Sequence, residues 1–103
     1  MLTFSTLQFD MGDVKFGNKK SFPVNVKNES IETIVLHHSG SSCSCTTASV
    51  DKNPILPNTN TNFNVHFNSN KTGKGSQVKS IIASWNENGQ PKTQKIQFKV
   101  NVT

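Results

Sequence analysis

The sequence contains no arginine and no tyrosine, and its 103 residues include only two cysteines, four prolines and one tryptophan. Without arginine the bidentate guanidinium fork that reads base edges is missing. The eleven lysines are scattered from Lys15 to Lys99, with only Lys19 and Lys20 adjacent. The net charge of +5 therefore reads as a solvated face with weak attraction to anionic surfaces, and specific nucleic-acid recognition is not expected. No apolar run approaches the ~20 residues that span a bilayer, and Met1–Phe9 has neither the basic start nor the apolar core of an export signal. Charged residues make up 17% of the chain and apolar residues 32%; both fractions are low. The gap is filled by 13 Asn, 12 Ser and 10 Thr. Side chains of these three types compete with helical backbone hydrogen bonds and favour strands and turns, which excludes a helical bundle. A length of 103 residues fits one domain spanning 1–103.

Apolar residues recur with period two and nowhere with helical period. Leu2, Phe4, Leu7 and Phe9 mark a first extended stretch whose alternation slips between Phe4 and Leu7, and Asp10–Asp13 reads as a turn. Phe22, Val24 and Val26 form a second strand; Pro23, unable to donate to a ladder, places an edge or a bulge there. Thr33–His38 reads as a third strand, and Ser39–Thr47 as a loop of extended character. Pro54-Ile55-Leu56-Pro57 reads as a rigid segment plugging a sheet edge. Phe63, Val65 and Phe67 give the clearest alternation in the chain. A turn over Asn68–Gly75 leads into Val78–Trp85, with Ile81, Ala83 and Trp85 inward. A hairpin loop over Asn86–Pro91 then leads to Ile96, Phe98, Val100 and Val102. About seven strands at this spacing, with no helix-length segment between them, predict an all-β fold, an antiparallel β-sandwich. The expected core is Phe22, Val24, Ile34, Leu36, Phe63, Val65, Phe67, Ile81, Trp85, Phe98 and Val100.

Few residues suggest chemistry. Cys43 and Cys45 would lie about 7 Å apart on one face of a strand, and a closed C-x-C ring in a turn is strained, so free thiols are expected. His37 and His38 lie just upstream and complete a conceivable metal set. Adjacent histidines on a strand point to opposite faces, however, and the spacing departs from zinc patterns. We read the two cysteines as small packing residues in a bend, with no metal and no cofactor. His66 falls on the polar face of its strand and reads as solvent-facing. No paired carboxylates, nucleophile elbow or phosphate loop occurs, so an enzyme is not expected. The three Asn-x-Ser/Thr matches at Asn28, Asn70 and Asn101 come cheaply in a chain of this composition.

The order of residues adds a resemblance. Phe9–Val14 (FDMGDV), Gly17, Ser21–Asn28 (SFPVNVKN), Ser42–Thr47 (SCSCTT), Pro54–Asn58 (PILPN), Phe63–Asn68 (FNVHFN) and Trp85-Asn86 together carry it. The chain resembles a bacterial family of undefined role marked by a Cys-Gly-Cys-Thr motif, which is itself similar to Hydin-like and major-sperm-protein-like immunoglobulin domains. Ser44 stands where the motif has glycine, and Asn58 where the usual Pro-Gly turn has glycine. The resemblance implies an Ig-like sandwich without catalysis.

The functional expectation is a non-enzymatic structural or interaction module, a structural or decorating subunit of a larger assembly such as a phage virion. It would contact copies of itself or a larger protein scaffold. The alternative is a periplasmic or cell-surface module that binds a metal or thiol ligand through Cys43, Cys45 and one of His37 or His38, its export signal having been removed.

Overall fold

The computed structural model describes residues 1–41 and 44–103. Eight strands are present among them: β1 (Leu2–Phe4), β2 (Gln8–Val14), β3 (Lys19–Asn28), β4 (His37–Ser41), β5 (Thr46–Val50), β6 (Asn60–Asn68), β7 (Gly75–Glu87) and β8 (Gln90–Val102). One turn of 3-10 helix, Ser69–Lys71, follows β6. The strands form two four-stranded sheets, one ordered β1-β3-β6-β5 and the other β2-β8-β7-β4, which pack as an Ig-like β-sandwich.

Alternation decides which side of each strand is buried. In β6, Thr61, Phe63, Val65 and Phe67 are buried while the residues between them are half-exposed. In β8, Ile96, Phe98, Val100 and Val102 turn inward. Every residue of the expected core is buried except Phe22, which is half-buried and packs against the rest. Burying a side chain such as Phe63 or Phe98 contributes about 1.5–3 kcal/mol relative to leaving it exposed. Trp85 is buried, as its place in the alternation predicts, and its ring meets Phe4 at 5.8 Å. Phe9 lies between Phe22 of one sheet and Phe98 of the other, stacked at 4.0 and 5.2 Å, and Phe98 meets Phe67 edge-on at 6.0 Å. This aromatic row ties the sheets together through offset and edge-to-face contacts.

The slip expected between Phe4 and Leu7 is the point where the chain leaves one sheet for the other. β1 pairs antiparallel with β3, and after the crossing β2 pairs with β8 in parallel, so the second sheet is mixed rather than purely antiparallel. Two local expectations also change. Asp10–Asp13 is a bulge inside β2 rather than a turn: Gly12 adopts φ +79°, its N–H donates to Asp10 Oδ1 at 2.8 Å, and Met11 is buried. Thr33–His38 is no continuous strand. Before His37 only Ile34 pairs, in a bridge to Ile55, and β4 begins at His37 and extends through residues read as loop. The physical reason lies in Asn53, whose amide accepts from Leu36 N–H at 3.0 Å and donates to Leu36 C=O at 2.8 Å, taking the place of a neighbouring strand.

Pro23 is tolerated because β1 is short. β1 pairs with Val26–Asn28 only, and Ser5 N–H donates to Asn25 C=O, so β3 is locally an edge at Pro23. The turn after Pro57 does without glycine because Asn58 adopts the left-handed conformation, φ 59°, that asparagine tolerates.

Candidate functional site

Several exposed apolar side chains gather at one end of the sandwich, where β3 and β7 finish and β6 begins. Ile31 is 99% exposed and Leu56 59%, and Val35 is also exposed. The backbone that displays them is firmly held. Asn28 is fully buried; its amide donates to Glu32 C=O and Ile55 C=O, both at 2.9 Å, and accepts from Ser30 N–H at 3.0 Å and Ser30 Oγ at 2.7 Å. Glu32 in turn accepts from Asn88 N–H at 2.9 Å, which fastens the loop to the β7–β8 hairpin. Ile31 therefore sits at the tip of a preorganised loop. Sequence reasoning missed it because a lone isoleucine between Ser30 and Glu32 carries no periodic signal; the Lys-Asn-Glu-Ser turn was the available clue.

The cysteine expectation requires correction. Cys45 is disulfide-bonded and not a free thiol. The strand spacing that argued against a bond does not apply, because Ser44 and Cys45 lie in a turn between β4 and β5, and the expectation that a turn disfavours the bond is overturned with it. Cys45 is itself buried in the core cluster. Cys43 lies outside the described residues. A sulfur in a disulfide is no thiolate, so Cys45 as it stands offers no metal ligand. His37 and His38 are exposed on β4, opposite Ser84 and Ala83 of β7, and so face opposite sides as alternation requires. Among the described residues no three His, Cys, Asp or Glu side chains come together as a metal site.

His66 lies on the polar, outward face of its strand, as expected, and is half-buried there. It stands opposite Ser21 of β3 and Thr47 of β5 on the outer face of its sheet. Its Nδ1 is hydrogen-bonded to Ser21 Oγ at 2.6 Å and its Nε2 to Ser49 Oγ at 2.8 Å. Ser49 lies diagonally across the β5–β6 pair, so both ring nitrogens are engaged by cross-strand hydroxyls. The nearest acid along this face, Asp51, accepts from Asn64 Nδ2 at 2.7 Å.

The opposite end of the molecule is basic. The segments 15–20 and 69–74 are joined there through Ser69, which is fully buried and accepts from Gly17 N–H at 2.9 Å. Its hydroxyl donates to Asn18 C=O at 2.6 Å, with Lys15 C=O at 3.2 Å. These segments carry Lys15, Lys19, Lys20, Lys71 and Lys74, and Lys74 Nζ lies 5.9 Å from the centre of the Phe16 ring.

A family described as "Protein of unknown function (DUF1573)" matches residues 2–102, nearly the whole sandwich. The chain belongs to the DUF1573 family. Among solved structures this DUF1573 chain is similar to the ASH / PapD-like domain of human CEP192 (PapD-like domain 7), with a TM-score of 0.76 and 10% identity over 99% of this chain and 84% of that one. At that identity the likeness establishes the shared sandwich. The VesB protease of Vibrio cholerae overlaps with a TM-score of 0.49 and 12% identity over 97% of this chain and 31% of that one, too weak a likeness to argue from. A search of curated proteins by sequence finds no match.

Proposed function

We propose that this chain is a non-catalytic protein-interaction module, a structural or decorating subunit that docks on copies of itself or on a larger protein scaffold. The observation that carries the reading is Ile31, fully exposed at the tip of a loop whose backbone is locked by the buried Asn28. A rigid apolar side chain held in water loses little entropy when it enters a partner's pocket, which is how preorganised loops gain affinity. Neutral Asn, Ser and Thr side chains on the adjoining sheet face suit a close, partly wet contact.

We place the module in a virion, with the periplasm or cell surface as the second location. The disulfide at Cys45 supports either, since such bonds persist in oxidising surroundings and on particle or cell exteriors. In the same reading Cys43-Ser44-Cys45-Thr46 is this chain's form of the Cys-Gly-Cys-Thr motif, with Ser44 filling a turn position that glycine also fits.

Mass spectrometry of purified particles from the source, alongside light scattering of the purified protein, tests the proposal. The expected result is the chain in particles, or self-association that Ile31→Asp abolishes. A strictly monomeric protein found in no particle would sink it.

A further inference from the structure

On the outer face of the β3-β6-β5 sheet, between His66 and the basic end, lies a depression of about 300 Å³. Its walls include Lys19, Ser21, Ser44, Thr47, His66 and Lys71, and among the described residues no carboxylate lines it. Two ammonium groups thus meet three hydroxyls and an imidazole around a space large enough for a phosphate group with a small substituent. We propose that this depression is a binding site for a tetrahedral oxyanion, a phosphate or phosphomonoester, with affinity coupled to protonation of His66. The site is separate from the Ile31 loop and stands whether or not that loop docks on protein.

The coupling follows from the hydrogen bonds of the ring. A neutral imidazole has one N–H and one lone pair, so one of its two serines must donate its hydroxyl proton to the ring while the other accepts. A protonated imidazole donates from both nitrogens, to Ser21 Oγ at 2.6 Å and Ser49 Oγ at 2.8 Å, and both hydroxyl protons are released. Of the two serines only Ser21 lines the depression. Protonation therefore supplies a third positive charge and, whichever tautomer the neutral ring holds, leaves the Ser21 O–H free to point towards the anion. The charged groups facing the ring are Lys19 from β3 and Lys71 from the 3-10 turn; Asp51, beyond β5, is engaged by Asn64. Cys45 also borders the space, but as a disulfide it does not titrate. Charge-assisted hydrogen bonds of this type are about twice as strong as neutral ones.

Nuclear magnetic resonance titration of the labelled chain at fixed ionic strength tests the site. The probes are inorganic phosphate, glycerol phosphate, and sulfate, which stays dianionic across the pH range. Saturable amide shifts are expected at Lys19–Ser21, Ser44–Thr47 and His66–Lys71. The double variant Lys19→Ala/Lys71→Ala, on exposed side chains, should weaken binding roughly tenfold or more. Sulfate affinity should rise as pH is lowered, and His66→Gln should flatten that dependence while leaving the fold intact. Ser21→Ala should weaken binding mainly at the acidic end, which a purely structural role would not do. Preference for glycerol phosphate would support an ester as the ligand, and equal binding would support free phosphate. Non-saturating shifts matched by chloride at equal ionic strength, or a double variant that binds as the wild type does, would overturn the proposal.

Discussion

The two ends of the sandwich are built in the same way and present opposite chemistry. At one end the fully buried Asn28 ties together the loop after β3 and the Ile55 segment; at the other the fully buried Ser69 ties the loop after β2 to the turn after β6. A buried polar group is costly unless its hydrogen bonds are met, and both side chains meet theirs with loop backbone. Yet the Asn28 end displays Ile31 and Leu56, whereas the Ser69 end carries five lysines, Lys74 among them beside Phe16. The difference teaches that the interior fastenings set the shape of each end, while the residues carried on them are free to differ and so decide what the end can bind.

The largest expected effect comes from cutting what both ends share. Phe98 is fully buried and contacts Phe9 and Phe67, so Phe98→Ala should cost about 3–5 kcal/mol. Urea unfolding followed by tryptophan fluorescence and by amide signals from each end should lose both ends in one transition. Separate transitions would show that the ends are independent units. Next, Asn28→Ala leaves the Glu32 and Ile55 carbonyls without their donor and should cost about 2–3 kcal/mol. Hydrogen exchange should speed up at Ser30–Ile34 and not at Gly17. Asn28→Asp should be no better, because a carboxylate cannot donate to those carbonyls. Ser69→Ala removes one hydroxyl and should cost about 1–2 kcal/mol, with faster exchange at Gly17. Ile31→Asp should change stability by less than about 0.5 kcal/mol, since the side chain touches water already. A large loss of stability on that change would show Ile31 to be structural.

The smallest effect concerns pH. The Met1 ammonium lies 2.8 Å from Glu87 and holds its carboxyl below the ordinary value of 4.5, with help from Trp85 Nε1 at 3.2 Å and from Lys92. A carboxylate whose folded value is lowered stabilises the fold fully above its ordinary value, and that contribution is lost as pH falls through the lowered one. Glu87→Gln should therefore change stability at neutral pH and converge with the wild type in acid, as measured by melting temperature against pH.

How much of this was legible in the sequence depended on where each segment finds its hydrogen-bond partners. β6 and β8 announce themselves because Phe63, Val65 and Phe67, or Ile96, Phe98 and Val100, alternate with polar residues against a buried interior. β4 gives no such signal: His37–Ser41 is small and polar, and only β7 alongside it makes it a strand. The Ile34–Leu36 run promised a strand and became an irregular segment because Asn53, distant in sequence, satisfies Leu36 on both sides. Parallel pairing of β2 was hidden for the same reason, Gln8 meeting its partner only at Gln97. At the candidate site, the alternation put His66 on the polar face, but not between two serines. The disulfide at Cys45 was missed because the motif was judged unfavourable to a bond in a strand and in a turn alike, and the turn it occupies accommodates one.

The pairing of β2 with β8 also orders events during synthesis. Phe9, Asp10 and Val14 leave the ribosome long before their ladder partners Phe98, Lys99 and Val102 are made. Until then β2 has no ladder partner, and loop closure over about ninety residues must precede the contacts that reward it. The β2-β8-β7-β4 sheet can therefore be completed only after β8 has cleared the exit tunnel, and a nascent chain stalled before Ile96 should remain open to proteases along Gln8–Val14.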